Sequence, residues 1–525
     1  MCMGMKKLHS LSSNWAAFLF TVLFTVVIMV ISGRDSWLYD AYVRCDTNWY
    51  FICGRALMNG LTPYVDFVDS KGPLLWLIYG VGYLLTPHSF IGVFWLECLV
   101  LLATLWIGYK MAMLFLGDRP ILNLISVVLL GFVFVQTYDE WRCEFWCRPL
   151  LLYTVYLTCL SIKRHSASTY QANALRSGLC VGLAFMIKYS IAAMIGGIAV
   201  MQLYWSWRCQ KSLLWPCCWR LIAGASLAML PFVVYLSCTG AMMAFVREYC
   251  LNTLLTVGNL GEWVFPNMSP SRRTYLHFHL FFRWNVIWQV CACVVTLFSP
   301  LRKAYKVLAL YCFTVCAAIY MMGYYSYYSE IGDVLVLFGI LSVIALLRRV
   351  VKSRWVYAAL LPLAVVWSVA DGILFFRQCD WAYNKQNPRR KIYHTALHVV
   401  AQQGRHSKVM YFDTMPCCGD LGIFSESLPA CKHWARQNGA LEQSLISQEN
   451  AIVNHIPDVV VVNCVNEKFN ERKRFLLKAG YYPVTVVSDK DRETWAERKQ
   501  EIFLKRPFTT SIVNATDREI LLRQK

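Results

Sequence analysis

Long apolar runs separated by short charged loops fill the first 376 residues of the chain. Several runs approach the ~20 residues that a helix needs to cross a bilayer, so the pattern predicts a polytopic α-helical membrane protein. The predicted spans, about eleven when the run 178–207 is counted twice, cover residues 15–32, 90–106, 121–138, 150–162, 178–207, 222–238, 284–298, 307–323, 334–347 and 355–376.

Flanking charges decide how two ambiguous runs are interpreted. Residues 74–85 are short for a span, and a crossing there would put the basic loop at Lys110 and Arg119 outside. Because basic loops normally stay in the cytoplasm, we expect this run to lie in the interface or to re-enter. Residues 178–207 have basic flanks at both ends and contain Lys188, which predicts a hairpin of two short helices with Lys188 near its outer tip. A single span with a snorkelling lysine is the alternative.

The composition changes after residue 376, where charged helical stretches alternate with short β-branched runs. This alternation predicts a small α/β domain. The helical stretches cover residues 388–403 and 466–479, and the β runs cover residues 408–412, 458–462 and 484–487. The sequence thus predicts a transmembrane domain, residues 1–376, and a small α/β domain, residues 377–525. The transmembrane domain has three predicted external loops, which cover residues 33–72, 139–149 and 239–283.

Basic residues also orient the chain. Lys6 and Lys7 precede the first run, which lacks a clear cleavage site. We therefore expect a retained first span and a cytoplasmic N-terminus. An odd number of crossings then places the C-terminal domain outside. The sequence predicts a multi-pass protein of the plasma (inner) membrane with an extracytoplasmic α/β domain.

The formal net charge is +20, from 51 Lys+Arg and 31 Asp+Glu. Much of the excess lies in short loops between apolar runs, which is a positive-inside bias. The lipid bilayer is thus a predicted partner, and no nucleic acid is needed to explain the charge. Most of the 22 cysteines lie in apolar runs, where Cys behaves as a small hydrophobe. Disulfides among the cysteines of the tail are left open: Cys417, Cys418, Cys431 and Cys464.

The loop after the first span concentrates charge at the edge of the membrane. Its ionisable residues include Asp46, Arg55, Asp66, Asp69 and Lys71. Charges beside lipid are costly unless they face water, a partner or a substrate, so the cluster indicates a functional site. Three alternatives stay open: a solvated loop, turn or cap roles for Asp66 and Asp69, and an interfacial anchor at Lys71.

The second external loop adds Glu144, at the end of an acidic stretch. The alternative to a functional role is an ion pair with Arg142 or Arg148 worth under ~1 kcal/mol. The sequence predicts no metal-binding residues and identifies no cofactor. It leaves open a divalent cation shared by Asp46 and Glu144.

The spacing of these residues resembles a known pattern. The pattern is an upstream Asp followed by G-R-x-x-x-x-G-x-x-P-Y-x-D-x-x-D-x-K-G-P. This chain matches it with Asp46, Gly54-Arg55, Gly60, Pro63-Tyr64, Asp66, Asp69 and Lys71-Gly72-Pro73. A second, weaker pattern is an acidic residue five positions before a proline that opens a span, and Glu144 and Pro149 match it. A third is G-x-x-x-G-x-x-F-x-x-K, which the chain matches with Gly178, Gly182, Phe185 and Lys188. The chain thereby resembles the GT-C membrane glycosyltransferases, specifically the protein-mannosyltransferase-like branch (glycosyltransferase family 39 and bacterial relatives). Relatives often have a His-Tyr pair in the last external turn, whereas this chain has Ser326-Tyr327.

This resemblance implies a hexosyl- or pentosyltransferase that moves a sugar from a polyprenyl-phosphate donor to an extracytoplasmic acceptor, which is a glycan, lipid or protein. Asp46 matches the family's catalytic Asp, which accepts the proton of the acceptor hydroxyl. Cations must stabilise the leaving phosphate, and the candidates are Lys71, Arg55 and Lys188. Glu144 would orient the acceptor or the sugar in the same cavity. Asp66 and Asp69 complete the predicted substrate-binding set.

Two other classes of protein compete with this interpretation. One is a transporter or flippase for a lipid-linked or anionic solute, which typically has internal repeats and polar residues at the bilayer midplane. No convincing repeat is visible here, and the noted carboxylates cluster in loops. The other is a membrane scaffold that presents the tail, which leaves the loop carboxylates and Lys71 unexplained.

Overall fold

The computed structural model is a bundle of apolar helices followed by a mixed α/β region. It describes residues 2–33, 36–38, 45–136, 143–252, 284–322, 335–383, 406–414, 426–435, 441–464, 468–490 and 497–505. Several residues and segments of the sequence predictions lie outside this described part: Arg142, Ser326-Tyr327, residues 388–403, Cys417 and Cys418.

The apolar runs form helices close to the predicted spans. The helices are α1 (Cys2–Ser32), α2 (Cys45–Met58), α3 (Pro73–Leu85), α4 (Ile91–Leu116), α5 (Pro120–Gln136), α6 (Cys143–Arg164), α7 (Ala167–Phe185), α8 (Tyr189–Cys209), α9 (Leu214–Cys238), α10 (Met242–Phe245), α11 (Trp284–Phe298), α12 (Lys303–Met322), α13 (Val336–Val350) and α14 (Arg354–Tyr383). By length and composition, six helical stretches of the described residues can cross a bilayer, and three further apolar helices are shorter. The protein is a multi-pass membrane protein, as predicted, while the number of eleven crossings stays a prediction.

The predicted hairpin at Lys188 is confirmed, and the single-span alternative is wrong. Helix α7 ends at Phe185 and α8 begins at Tyr189, with Lys188 at the N-cap of α8. The two helices run antiparallel, since Ser177 Oγ donates a hydrogen bond of 2.8 Å to Gln202 Oε1 across them. Each helix has about 20 residues, because α7 begins well before the apolar run, at a turn that Ser166 caps. The side of the membrane that Lys188 faces stays a prediction.

The short helix α3 fits the prediction of an interfacial or re-entrant segment. Its 13 residues rise about 20 Å, less than the ~30 Å of a hydrocarbon core. It packs closely on α2, because a Cβ atom built on Gly54 would lie 2.5 Å from the backbone nitrogen of Gly80. Only glycine at position 54 permits this approach of the two backbones.

The contacts of the chain divide it into two compact units. The helical unit comprises residues 1–33, 97–234 and 259–377, and the loop–tail unit comprises residues 34–96, 235–258 and 378–525. This grouping differs from the predicted domains, which assigned the first external loop to the transmembrane domain. The difference has a physical cause, because Arg55 in that loop and Ser427 in the tail share a buried hydrogen bond.

Small residues set the packing of the helical unit. A Cβ atom on Gly178 of α7 would lie 2.1 Å from the carbonyl oxygen of Leu221 in α9, and one on Gly182 would lie 2.4 Å from that of Ala225. Such contacts are typical of membrane helices, where close backbone approach replaces the hydrophobic driving force. The two glycines of the third sequence pattern therefore have a packing role.

The described residues of the tail form one mixed sheet and two helices. Its elements are β1 (Lys408–Phe412), β2 (Leu428–Pro429), α15 (Leu441–Val453), β3 (Val459–Asn463), α16 (Phe469–Lys478), β4 (Tyr481–Lys490) and β5 (Glu497–Lys505). The strand order is β2-β1-β3-β5-β4, with β1 parallel to β2 and β3, and β5 antiparallel to β3 and β4. The predicted α/β fold of the tail is confirmed. Its core includes Met410, Phe412, Val460, Val462 and Phe503.

The glycine contact between α7 and α9 is directly testable. We expect Gly178→Ala to lower the melting temperature of the detergent-solubilised protein, because an added methyl group overlaps the backbone of Leu221. Overpacking of this kind costs about 1–3 kcal/mol. Gly196→Ala in α8 is the matched control, since a Cβ atom there meets nothing within 4 Å. Equal melting temperatures for the two variants would contradict the packing role.

Candidate active site

Asp46 lies in the first turn of α2, in the loop–tail unit, and its residue is half-buried. The first turn of a helix favours a carboxylate because unsatisfied N–H groups and the helix dipole create a positive potential there. Burial is the main cause that raises the pKa of the Asp69 carboxyl, and the charge of Asp46 acts in the same direction. Two of the three predicted loop carboxylates therefore belong to one electrostatic cluster.

Tyr64 organises the loop that carries Lys71. Its backbone is in the left-handed region, with φ of 66°, and its N–H donates a hydrogen bond of 2.7 Å to Phe67 O. The ring is fully buried and packs 4.9 Å from the ring of Trp76 between centroids. Its hydroxyl donates a hydrogen bond of 2.8 Å to Lys71 O. The buried tyrosine thus fixes the backbone at Lys71, a role that the Pro63-Tyr64 match signalled without specifying.

Asp69 and Lys71 are brought together in a partly buried pair. Lys71 Nζ lies 4.0 Å from Asp69 Oδ1, and the side chains are 17% and 13% exposed. The Ser70 N–H donates a hydrogen bond of 2.6 Å to the same oxygen. The other oxygen, Oδ2, is buried and has no hydrogen-bond partner among the described residues. Burial raises the pKa of Asp69, although the Lys71 charge and the Ser70 N–H act in the opposite direction.

Asp66 has a different environment from the other two carboxylates. It is exposed, and its Oδ2 accepts a hydrogen bond of 2.7 Å from the Thr62 N–H. The Asp66 N–H donates a bond of 2.9 Å back to Thr62 O. This reciprocal pair is the geometry of a turn, so the described contacts of Asp66 support the turn role that the sequence left open.

Arg55 lies under the tail and is fully buried. Its Nη1 donates a hydrogen bond of 3.1 Å to Ser427 O, and its guanidinium carbon is 5.3 Å from the centroid of the Tyr83 ring. Burial lowers the pKa of Arg55 to about 10, so the guanidinium stays charged at neutral pH. These contacts hold α2 to the tail. The contact with the leaving phosphate that the sequence suggested for Arg55 stays a prediction.

Glu144 and Lys188 form an ion pair within the helical unit. Glu144 is in the first turn of α6 and is almost fully buried, and Lys188 Nζ donates a short hydrogen bond to its Oε1. Cys143 Sγ donates a bond of 3.2 Å to the other oxygen. The sequence left open an ion pair with Arg142 or Arg148. Arg142 lies outside the described residues, and the guanidinium carbon of Arg148 is 4.9 Å from the centroid of the Phe134 ring. The pair ties α6 to the tip of the hairpin.

Sequence reasoning passed over Glu97, a carboxylate inside the apolar helix α4. Its side chain is fully buried in the helical unit. A lone charge within an otherwise apolar run was the available signal, because such residues are rare in membrane helices and usually functional. It also passed over Lys432 in the tail, whose carbonyl oxygen accepts a hydrogen bond of 3.1 Å from the Val68 N–H.

Metal-ligand groups are a separate question for this site. Among the residues that the structure describes, no cluster of three or more His, Cys, Asp or Glu side chains has the arrangement of a metal site. Asp46 lies in the loop–tail unit and Glu144 in the helical unit. The cation shared by these two carboxylates, which the sequence left open, stays a prediction.

The chain is similar over most of its length to solved structures of one membrane protein. Against ArnT from Cupriavidus metallidurans bound to undecaprenyl phosphate, the TM-score is 0.56 at 14% identity, covering 92% of this chain and 98% of that chain. Against the same protein in the apo state, the TM-score is 0.57 at 14% identity, covering 93% and 98%. No family model and no curated protein sequence matches the chain. At this identity the similarity shows the fold alone, and the protein-mannosyltransferase-like branch stays a prediction.

The buried Asp69 predicts a pH-dependent stability. Its folded-state pKa lies above the ordinary value of 3.8, so folding favours the protonated acid. The stability from this protonation is fully present below pH 3.8 and is lost as pH rises through the raised pKa. We expect Asp69→Asn to raise the melting temperature at neutral pH, with a difference that shrinks on acidification.

The matched control for this experiment is Asp66→Asn, at an exposed carboxylate of the same loop. Asn retains a side-chain oxygen that accepts the Thr62 N–H, so we expect little change in melting temperature at any pH. A lower melting temperature for Asp69→Asn at neutral pH would mean that the Lys71 ion pair outweighs the burial of the carboxylate.

Proposed function

We propose that the protein transfers a sugar from a polyprenyl-phosphate donor to an extracytoplasmic acceptor. The observation that carries this proposal is the cluster of Asp46, Asp69 and Lys71 in one loop of the loop–tail unit. In this proposal, the loop supplies both the proton acceptor and the cation that binds the phosphate. The fold supports it, because a protein of the same fold has been solved with bound undecaprenyl phosphate.

Asp46 is the proposed general base. As the acceptor hydroxyl attacks the anomeric carbon, its proton passes to the Asp46 carboxylate, the new C–O bond forms, and the bond from the anomeric carbon to phosphate breaks. Both electrons of that bond leave with the polyprenyl phosphate. Half-burial suits Asp46 to this role, since a base must reach a substrate hydroxyl and still accept its proton. A single displacement of this kind inverts the anomeric carbon.

Lys71 is the proposed cation for the leaving phosphate. Its ammonium is 4.0 Å from the nearest oxygen of Asp69, at the outer limit of an ion pair, and 17% of the side chain is exposed. A phosphate with growing negative charge would bind it through shorter, charge-assisted hydrogen bonds. Partial burial strengthens that interaction relative to water.

The other predicted site residues fall into two groups according to their contacts. Glu144 and Lys188 are proposed to orient substrate from the hairpin tip, as a pair whose charges depend on each other. Arg55 and Asp66 are proposed to act through structure, the first by holding the tail and the second by closing a turn. The proposal names the substrates only by class. The sugar is a hexose or a pentose, and the acceptor is a glycan, a lipid or a protein.

The proposal also places the first loop and the tail outside the plasma membrane. Hydrogen bonds from Arg55 to Ser427 O and from Val68 to Lys432 O support a common side for the two segments. A common side fits the predicted total of eleven crossings, because the first precedes the loop and the other ten, an even number, separate the loop from the tail. The N-terminus then lies in the cytoplasm.

Labelling with a membrane-impermeant thiol reagent tests this topology. In a background with Cys238 and Cys291 replaced by Ser, we expect Val65→Cys in the loop and Ile446→Cys in the tail to be labelled in intact cells. Both positions are about half exposed. Asp118→Cys, in the exposed connection between α4 and α5, is the control that should need permeabilised cells. Labelling of Asp118→Cys alone in intact cells would reverse the orientation.

Replacing Asp46 tests the reaction itself. Asp46→Asn keeps size and hydrogen bonding but cannot accept the proton, so we expect transfer to fall ~10²–10⁴-fold. Lys71→Met should chiefly raise the apparent KM for the polyprenyl-phosphate sugar, because it removes the phosphate contact. The measurement is transfer of labelled sugar from that donor pool at equal expression. Asp66→Asn is the matched control and should retain transfer. Near-normal transfer by Asp46→Asn would make Glu144 the better candidate for the base.

A further inference from the structure

We propose that Lys432, in the tail, is a positioning residue for the loop that carries Asp69 and Lys71. The tail strap, residues 426–434, holds this loop through the backbone of Lys432 and anchors itself through the Lys432 side chain. The structural part stands on hydrogen bonds within the loop–tail unit. Its catalytic consequence rests on the function proposed above.

The backbone of Lys432 contacts the loop directly. Its carbonyl oxygen accepts a hydrogen bond of 3.1 Å from the N–H of Val68, the residue that precedes Asp69. Lys71 is three residues after Val68, and its carbonyl oxygen accepts a hydrogen bond from the Tyr64 hydroxyl. The segment from Val68 to Lys71 is therefore held from the tail at one end and from the loop itself at the other.

The side chain of Lys432 ties the strap to a third segment of the same unit. Its Nζ lies 2.6 Å from Glu248 Oε1, and the two side chains are 31% and 11% exposed. Asn252 Nδ2 donates a hydrogen bond of 2.9 Å to the other oxygen of Glu248. Glu248 belongs to a π-helical turn, Val246–Leu251, whose Tyr249 packs against Tyr64. Such turns recur at functional sites.

The strap is in turn fixed to the sheet. The Tyr411 N–H, in β1, donates a hydrogen bond of 2.7 Å to Trp434 O, and Gln448 Nε2 donates one of 2.9 Å to His433 O. The Trp434 ring is fully buried and packs 5.1 Å from the Trp49 ring of α2. Because His433 and Trp434, the two residues after Lys432, are held by these contacts, the position of Lys432 is set by the fold of the tail.

Loss of the Lys432–Glu248 pair should loosen the strap without unfolding the sheet. The pair is partly exposed, so its removal changes local order more than overall stability. A shift of about 1 Å in a substrate-positioning group can lower the rate ~10²-fold. We therefore expect Lys432→Met to raise the donor KM and to lower kcat/KM roughly 10-fold or more, with the smaller change in kcat.

Hydrogen–deuterium exchange of the full-length protein in detergent tests the structural part. In Lys432→Met and in Glu248→Gln, the peptide containing Val68 should exchange faster than in the wild type. The charge-swapped double variant, Lys432→Glu with Glu248→Lys, should restore slow exchange. The matched control is Lys473→Met, which removes a tail ion pair of 3.0 Å to Glu501 outside the strap. It should leave the exchange of that peptide unchanged.

Donor KM and kcat of the same variants test the catalytic part. Faster exchange at Val68 with raised donor KM in both single variants, and recovery of both in the double variant, supports the proposal. Unchanged exchange, or an equal effect from Lys473→Met, overturns the positioning role. If the wild type transfers no sugar from the polyprenyl-phosphate donor, the proposed function fails, whereas the exchange measurements still decide the role of Lys432.

Discussion

The loop–tail unit depends on the hydrogen bond between the buried guanidinium of Arg55 and the tail. A charge that loses its water must be compensated, because a buried unpaired ion costs several kcal/mol. In this protein part of the compensation comes from a carbonyl oxygen of the tail, that of Ser427, at 3.1 Å. The packing of the aromatic rings of Phe51 and Tyr83 adds to it. The loop after the first span and the C-terminal sheet are therefore coupled, since the tail that covers Arg55 also supplies the carbonyl oxygen that its buried guanidinium needs.

That coupling explains features of the chain that are far apart in sequence. Gly54, the residue before Arg55, brings the backbone of α2 against α3, and this places the guanidinium beside the α3–α4 connection, where Nη2 donates to Pro87 O. In the same connection, His88 Nε2 lies 2.9 Å from Glu426 of the strap. The Gly-Arg pair of the sequence pattern is thus explained by assembly of the unit, whatever further role Arg55 has toward a substrate.

The fold was predictable to the extent that it follows from local pattern and charge. Apolar length identified the spans, and the interruption at Lys188 identified the hairpin. Strand β2 has only two residues and β5 is rich in charged side chains, so neither has a pattern that indicates a strand. The association of the tail with the loop joins residues more than 370 positions apart, and no local signal encodes such a contact. The partner of Glu144 was missed for the same reason, since Lys188 is 44 residues away.

The residue types of the candidate site could be predicted from the sequence. The burial of each carboxylate, which distinguishes one from another, could not. Three carboxylates within one short stretch of chain meet three environments: Asp66 is exposed and closes a turn, Asp46 is half-buried, and Asp69 is 13% exposed beside Lys71. Burial raises the pKa of the Asp69 carboxyl. Asp66 already accepts the Thr62 N–H. A single sequence shows three equivalent aspartates, whereas the structure gives each one a different degree of burial and different hydrogen-bond partners. The role of Asp46 as the general base stays a proposal.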